Sequence, residues 1–487
     1  MKTINKYIAV GAVMLATLTS CGNDWLDLEP STSTLTETSI NNMQDCYASL
    51  NGIYSTMQNA YAYSGRMVYY GDATGDDMQA YSATKRTGDA YLLSYTKNTV
   101  KESYWSYPYS MIGACNNILA QIGNLSANTS DKETLDFYTG QAYALRAMFL
   151  FDLTKFFGYP YKKDNGASLG VPVVTEMLDK SAKPSRNTVA EDYKQIIEDL
   201  VKACELMNTA TGKKFVKGKM NRFAALTLLS RVYLYHGDDD KALEAAETAI
   251  TEALKAKYHL WTNAEYATAW AADCSASDPG ETLLEVINLT EDSPGKEALG
   301  YLHSGRGYKD IICTSSFYDM LTKDKNDVRT KLLTVASKRA YCNKFQPQEN
   351  ELIQDANIRL IRLSETYLNA AEAAVKTGDD TKAAYYLNAI VNRANPANSV
   401  QSGVTLEQVM TERRKELFGE GHRMFDALRD GGKVVRKNVS VSAISSTKHL
   451  TMTDDKKEFD WNYFRCILPI PISETDANNN IKQNPDY

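Results

Sequence analysis

Along most of the chain, apolar residues recur at the three- and four-residue spacing of a helix face. The pattern predicts helices within residues 47–57, 104–122, 135–157, 193–207, 223–235, 242–254, 358–375 and 383–394. Thr188 with Glu191, and Thr405 with Gln408, read as capping boxes that open two further helical stretches. The periodicity lapses over 61–99 and 261–307, where Gly, Asp, Ser and aromatic residues mix. Inside the second lapse, residues 281–289 read as a short strand, and residues 332–345 read as a small hairpin.

Two of the helical stretches repeat each other. Residues 224–250 read as a helix, the turn Gly237-Asp238-Asp239-Asp240, and a helix opening Lys241-Ala242. Residues 364–394 read as a helix, the turn Gly378-Asp379-Asp380-Thr381, and a helix opening Lys382-Ala383. Alanines at 225, 242, 245, 246 and 249, and at 370, 371, 373, 374, 383 and 384, allow close approach. The pattern resembles tetratricopeptide helix–turn–helix units, in which no single pair buries its apolar face and several must stack. The expected fold is mostly α: tetratricopeptide-like helix-turn-helix units forming an α-superhelical scaffold, with long loop-rich insertions and a few short strands. The units are expected mainly within 40–60, 130–160, 187–256 and 357–394, and the insertions near 61–100 and 261–310. Residues 41–487 are read as one domain, since no linker divides them.

The N-terminus has another pattern. Lys2 and Lys6 precede an apolar run over 7–18, shorter than the ~20 residues of a spanning helix and fitting a secretory leader. Leu18-Thr19-Ser20-Cys21 resembles the bacterial lipobox. Residues 1–20 are therefore read as a lipoprotein signal peptide and Cys21 as the lipidated residue. The Ser-, Thr-, Asp- and Glu-rich stretch 21–40 is read as a tether. The other reading is an ordinary signal peptide that happens to contain a cysteine. Losing Lys2 and Lys6 moves the net charge from −6 to −8. No long basic block remains, which argues against nucleic acid. The seven cysteines after Cys21 are scattered, without zinc spacing. An odd count argues against a disulfide framework. Buried, reduced thiols are expected, with one or two bridges left open.

The C-terminal half carries recognisable residues. Arg359, Arg362, Glu365, Tyr367-Leu368 and Ala371-Glu372-Ala373 lie on one predicted helix, and Asn388 precedes Asn392-Arg393-Ala394. A dense charged run follows from Glu412 to Arg429, including Gly419-Glu420-Gly421-His422-Arg423. The chain then shows Pro469-Ile470-Pro471 and Gln483-Asn484-Pro485-Asp486-Tyr487. Together these resemble the SusD/RagB family, with Asp486 where the family usually has Gly. Asn51-Gly52-Ile53-Tyr54, Trp105 with Asn116, and Arg146-Ala147 are looser matches. The resemblance implies a lipid-anchored outer-membrane protein, surface-exposed, that captures oligosaccharides. It also implies action as a lid on a SusC-like TonB-dependent barrel. The alternatives are a RagB-like peptide binder and a tetratricopeptide-type protein scaffold. The charged motif residues are read as ion pairs and helix caps, with Arg413–Glu416 and Arg423–Asp426 sharing helix faces.

Sugars are held by flat aromatic faces and by polar groups on their hydroxyls. Tyrosine outnumbers phenylalanine 31 to 13, and residues 61–109 hold ten tyrosines and Trp105. Tyr104, Trp105, Tyr107 and Tyr109 open a predicted helix and are read mostly as core. Tyr81, Arg86 and Tyr91, with Asp76 and Asp77 before them, are the candidates in the first insertion. The second offers Trp270, Tyr301, Arg306 and Tyr308. For each, the plain alternative is a surface aromatic or charge that caps a loop. No HExxH, GxSxG, P-loop or dinucleotide fingerprint occurs, and the five histidines are dispersed. Catalysis is not expected. Neither is a cofactor; a structural calcium has no EF-hand motif behind it.

Overall fold

The computed structural model describes residues 39–126, 130–179 and 181–487. The leader, Cys21 and nearly all of the tether lie outside these residues. Nine long helices form the scaffold: α1 Met43–Met57, α2 Ser103–Ser126, α3 Lys132–Phe157, α4 Val189–Leu206, α5 Arg222–His236, α6 Asp239–Lys255, α7 Leu363–Thr377, α8 Asp380–Ala394 and α9 Leu406–Leu417. Each packs on its predecessor in chain order, and α6 meets α7 across the long second insertion. A single buried apolar cluster runs from Ile40 to Ile481.

The sequence explains where the helices begin and end. The side chains of Asn42, Asn221 and Asp379 accept hydrogen bonds from the first amides of α1, α5 and α8. Both expected capping boxes form, at Thr188 for α4 and at Thr405 for α9. The α5 and α7 helices stop at Gly237 and Gly378, whose φ angles of +102° and +79° suit glycine in the left-handed region.

The two central helices are buried on every side. Along α5 all residues from Phe223 to Tyr235 are buried, as are all from Leu363 to Ala374 in α7. A helix with no solvent face must satisfy its polar side chains internally. Here Thr227 and Thr366 share a hydroxyl contact of 2.8 Å, and Asn369 donates to Ser230 Oγ at 2.9 Å.

Six strands of three or more residues occur among the described residues: β1 Met78–Ala80, β2 Thr282–Val286, β3 Ile311–Cys313, β4 Leu333–Ala336, β5 Arg339–Cys342 and β6 Ile358–Arg362. They pair antiparallel as β1–β3, β2–β6 and β4–β5. The expected strand in 281–289 and the hairpin in 332–345 are present. The hairpin turns through Ser337 and Lys338, both at positive φ, +50° and +59°, as a two-residue loop requires. The helix expected over 358–375 begins later. Residues 358–362 are strand β6, because Ile358 and Arg362 pair with Val286 and Thr282, and α7 starts only at Leu363.

The charged motif residues form a buried network, with pairs other than those expected. Arg413 bonds Asp426 at 3.2 Å and not Glu416, while Arg423 reaches Asp76 at 2.5 Å. Arg429 pairs with Glu372 at 2.6 Å, and Arg231 with Glu365 at 2.5 Å. Glu416, fully buried, receives Arg393 at 2.8 Å, Arg362 at 2.9 Å and Arg329 at 3.5 Å. These guanidiniums outweigh burial and hold its carboxyl well below the usual range. Asp76 and Asp77 are buried here too, against Arg423 and Arg414, so they are structural and do not face outward.

The seven cysteines after Cys21 are all buried and unpaired. Burial pushes the Cys46 and Cys204 thiols up to about 12, which keeps them protonated and unreactive. No helix among the described residues is long and apolar enough to cross a membrane.

The N-terminal third is closed by the C-terminal stretch. Arg436 donates to the carbonyls of Thr74 at 2.8 Å and Gly75 at 3.1 Å. The Leu468 amide bonds the Phe156 carbonyl at 2.7 Å, and Asn484 bonds that of Phe157 at 2.9 Å.

Candidate functional site

The β1–β3 ladder decides what comes together outside the core. Its register places Ala80 opposite Ile311. The chain leaving β1 and the chain entering β3 therefore run side by side, and the Tyr81 amide donates to the Asp310 carbonyl at 2.9 Å. The β4–β5 hairpin packs beside β3. Three loops, over residues 81–87, 296–310 and 336–341, meet along one edge.

Asp310 pins the first two loops. Its carbonyl accepts from Thr87 Oγ1 at 2.9 Å, and its buried carboxylate lies 3.3 Å from both Lys85 Nζ and Arg86 Nη1. Arg86 Nε also donates to Glu297 at 2.9 Å. The Arg86 guanidinium then lies over the Tyr308 ring, 4.1 Å from its centroid. Tyr308 meets Tyr301 edge to face, with centroids 4.8 Å apart. On the hairpin side, Arg339 sits 4.7 Å over the Tyr81 ring. Tyr81, Tyr301 and Tyr308 are half-buried, while Arg306 is exposed. The result is a shallow surface of partly exposed tyrosine rings interleaved with guanidinium and ammonium groups. Such rings can stack on the C–H face of a pyranose, and the cations can donate to its hydroxyls.

Five of the seven expected residues thus share this surface: Tyr81, Arg86, Tyr301, Arg306 and Tyr308. The other two turn inward. Tyr91 is 0% exposed; its ring stacks on His449 and lies under the Arg436 guanidinium at 4.3 Å. Trp270 is 2% exposed, packed edge-on to Trp261 at 5.4 Å with Arg362 and Lys344 each 4.9 Å away. Both rings are held by cations of the interior, and neither offers a face to a ligand. Lys85, Glu297, Asp310 and Arg339 join this surface without having been singled out in the sequence. The signal for Arg339 was its position just after the hairpin turn, beside the basic Lys338.

Two hollows lie elsewhere. One of ≈520 Å³ is lined by Trp105, Tyr109, Pro172, Met177 and Leu178 among others. Its Trp105 is only 4% exposed, and the Tyr109 hydroxyl already donates to Pro172 at 2.8 Å. The other, of ≈240 Å³, lies beside Lys219 and Tyr54. Neither sets several partly exposed rings beside several cations as the three-loop surface does.

Comparison with known proteins covers most of the chain. The SusD family model matches residues 318–487, and the family described as starch-binding associating with outer membrane matches residues 24–234. A solved structure from Bacteroides vulgatus ATCC 8482 is 58% identical, with a TM-score of 0.90, and the match covers 92% of this chain and 100% of that one. A SusD superfamily protein from the same strain is 35% identical, with a TM-score of 0.84, over 92% of this chain and 100% of its own. The starch-binding protein SusD of Bacteroides thetaiotaomicron is 30% identical over 166 residues, 32% of this chain and 26% of that protein.

Proposed function

We propose, because this chain belongs to the SusD family, that it captures oligosaccharides at the cell surface for import and does not cleave them. The observation that carries this reading is the three-loop surface, where Tyr81, Tyr301 and Tyr308 keep partly exposed rings beside Arg86. The family's tie to starch binding and the outer membrane supports it. The buried carboxylates of the motif region are engaged by arginines and are unsuited to acid–base work on a substrate. In this reading a diacylglyceryl group on Cys21 tethers the protein to the outer membrane. A SusC-like TonB-dependent barrel receives the glycan, with this protein as its lid. The reading invokes no cofactor and no metal.

Affinity electrophoresis on a panel of glycans tests the binding surface. Tyr301→Ala combined with Tyr308→Ala should abolish retention of the protein in the gel that retards the wild type, with the melting temperature nearly unchanged. Full retention by the double variant would move the site elsewhere. Labelled palmitate should enter the wild type and not Cys21→Ala; a label in both would remove the anchor from the account.

A further inference from the structure

We infer that the oligosaccharide taken by the three-loop surface is acidic, carrying uronate carboxylates or sulfate esters. This rests on the proposed glycan-binding role of the same surface. The chain as a whole is acidic, with a net charge of −6. The three loops are the reverse. Residues 81–87, 296–310 and 336–341 hold two acids, Glu297 and Asp310, and both face Arg86 or Lys85.

Lys296, Arg306, Lys309, Lys338 and Arg339 remain, and none of them has a carboxylate within 4.0 Å among the described residues. Four are exposed, and Arg339 is half-buried. Like charges gathered on neighbouring loops repel one another, and ordinary surfaces intersperse the two signs. A neutral sugar gains little from this arrangement, because its hydroxyls bond to neutral donors as well. An anionic sugar relieves the repulsion as it binds.

The placement of the cations agrees with that use. Arg339 lies over Tyr81 at 4.7 Å, Lys296 stands 5.7 Å from the Tyr301 ring, and Arg86 covers Tyr308 at 4.1 Å. Tyr81 and Tyr301 therefore each have a cation without a carboxylate partner beside them, while the cation over Tyr308 is already paired. A uronate can lay its ring on the tyrosine while its carboxylate meets the guanidinium through two parallel hydrogen bonds, and a sulfate ester can do the same.

The test uses matched pairs in isothermal titration. One pair is oligogalacturonate and its carboxyl-reduced form; the other is a sulfated galactan and its desulfated form. Poly-glutamate serves as a peptide polyanion. At least one acidic glycan should bind at least tenfold more tightly than its neutralised partner and weaken steadily with added salt. Arg306→Gln combined with Arg339→Gln should weaken that binding at least tenfold and leave the melting temperature unchanged. The pair that responds distinguishes uronate from sulfate. Equal or better binding of the neutralised forms overturns the acidic assignment and leaves the glycan-binding role standing. Binding confined to poly-glutamate overturns both. Silence toward every acidic glycan, or unchanged affinity in the double variant, also overturns the assignment.

Discussion

Asp72 lies fully buried in the short helix Arg66–Ala73, and its carboxyl accepts one hydrogen bond, from the Gly421 amide at 2.6 Å. Burial pushes its pKa from 3.8 up to about 8; the Gly421 amide and Lys344 oppose the rise, while Asp77 and Glu420 add to it. The folded protein thus holds this proton more tightly than the unfolded chain does. Between about pH 4 and pH 8 the native state binds more protons, so this residue's contribution to stability falls as pH rises through that window. Asp72→Asn keeps an acceptor for Gly421 and removes the proton. Its gain in melting temperature over the wild type should be larger at pH 8 than at pH 5. An equal difference at the two values would refute the assignment. The same residue shows what a linear reading misses. Asp72, Asp76 and Asp77 sit in a stretch that reads as polar loop, and Arg414, Arg423 and Gly421, which draw two of them into ion pairs and one into a hydrogen bond, lie more than three hundred positions later.

Helix α9 shows the same contrast within one element. Its start was legible at Thr405 and Gln408, because a capping box is local chemistry. The work of its last turn was not. Glu416 there holds arginines from β6 and α8 and Arg329, and accepts from the Tyr266 hydroxyl at 3.2 Å. Removing one acid from such a buried group strands several cations. Glu416→Ala should therefore lower unfolding free energy by about 3–5 kcal/mol in urea titration. A loss under about 1 kcal/mol would mean that the pairs are individually dispensable. Strand β6 was invisible for a related reason. Ile358, Leu360, Ile361 and Leu363 satisfy both a helical and a strand pattern, and the partner that decides, β2, lies some seventy residues earlier in the chain. Composition marked Tyr301, Arg306 and Tyr308, which the structure leaves partly or fully exposed. Tyr91 and Trp270 failed because their burial is set by Arg436, Arg362 and Lys344, all distant in sequence.

For the whole molecule, the scaffold of stacked helices is what the repeat in the sequence announced, since each unit leaves an apolar face that only its neighbour covers. The meeting of residues from the first and second expected insertions on one surface came from the β1–β3 register, a pairing of segments more than two hundred residues apart. The closure of the first third by the last has a consequence for how the protein comes into being. Arg436 caps Thr74 across 362 positions, and Asn484 caps Phe157 across 327. While the polypeptide emerges from the ribosome, its opening helices wait with bare seams until the closing stretch arrives. Such long-range closure slows folding and leaves greasy surface exposed in the interval. The seams of the first third therefore close only after Arg436 and Asn484 have been made.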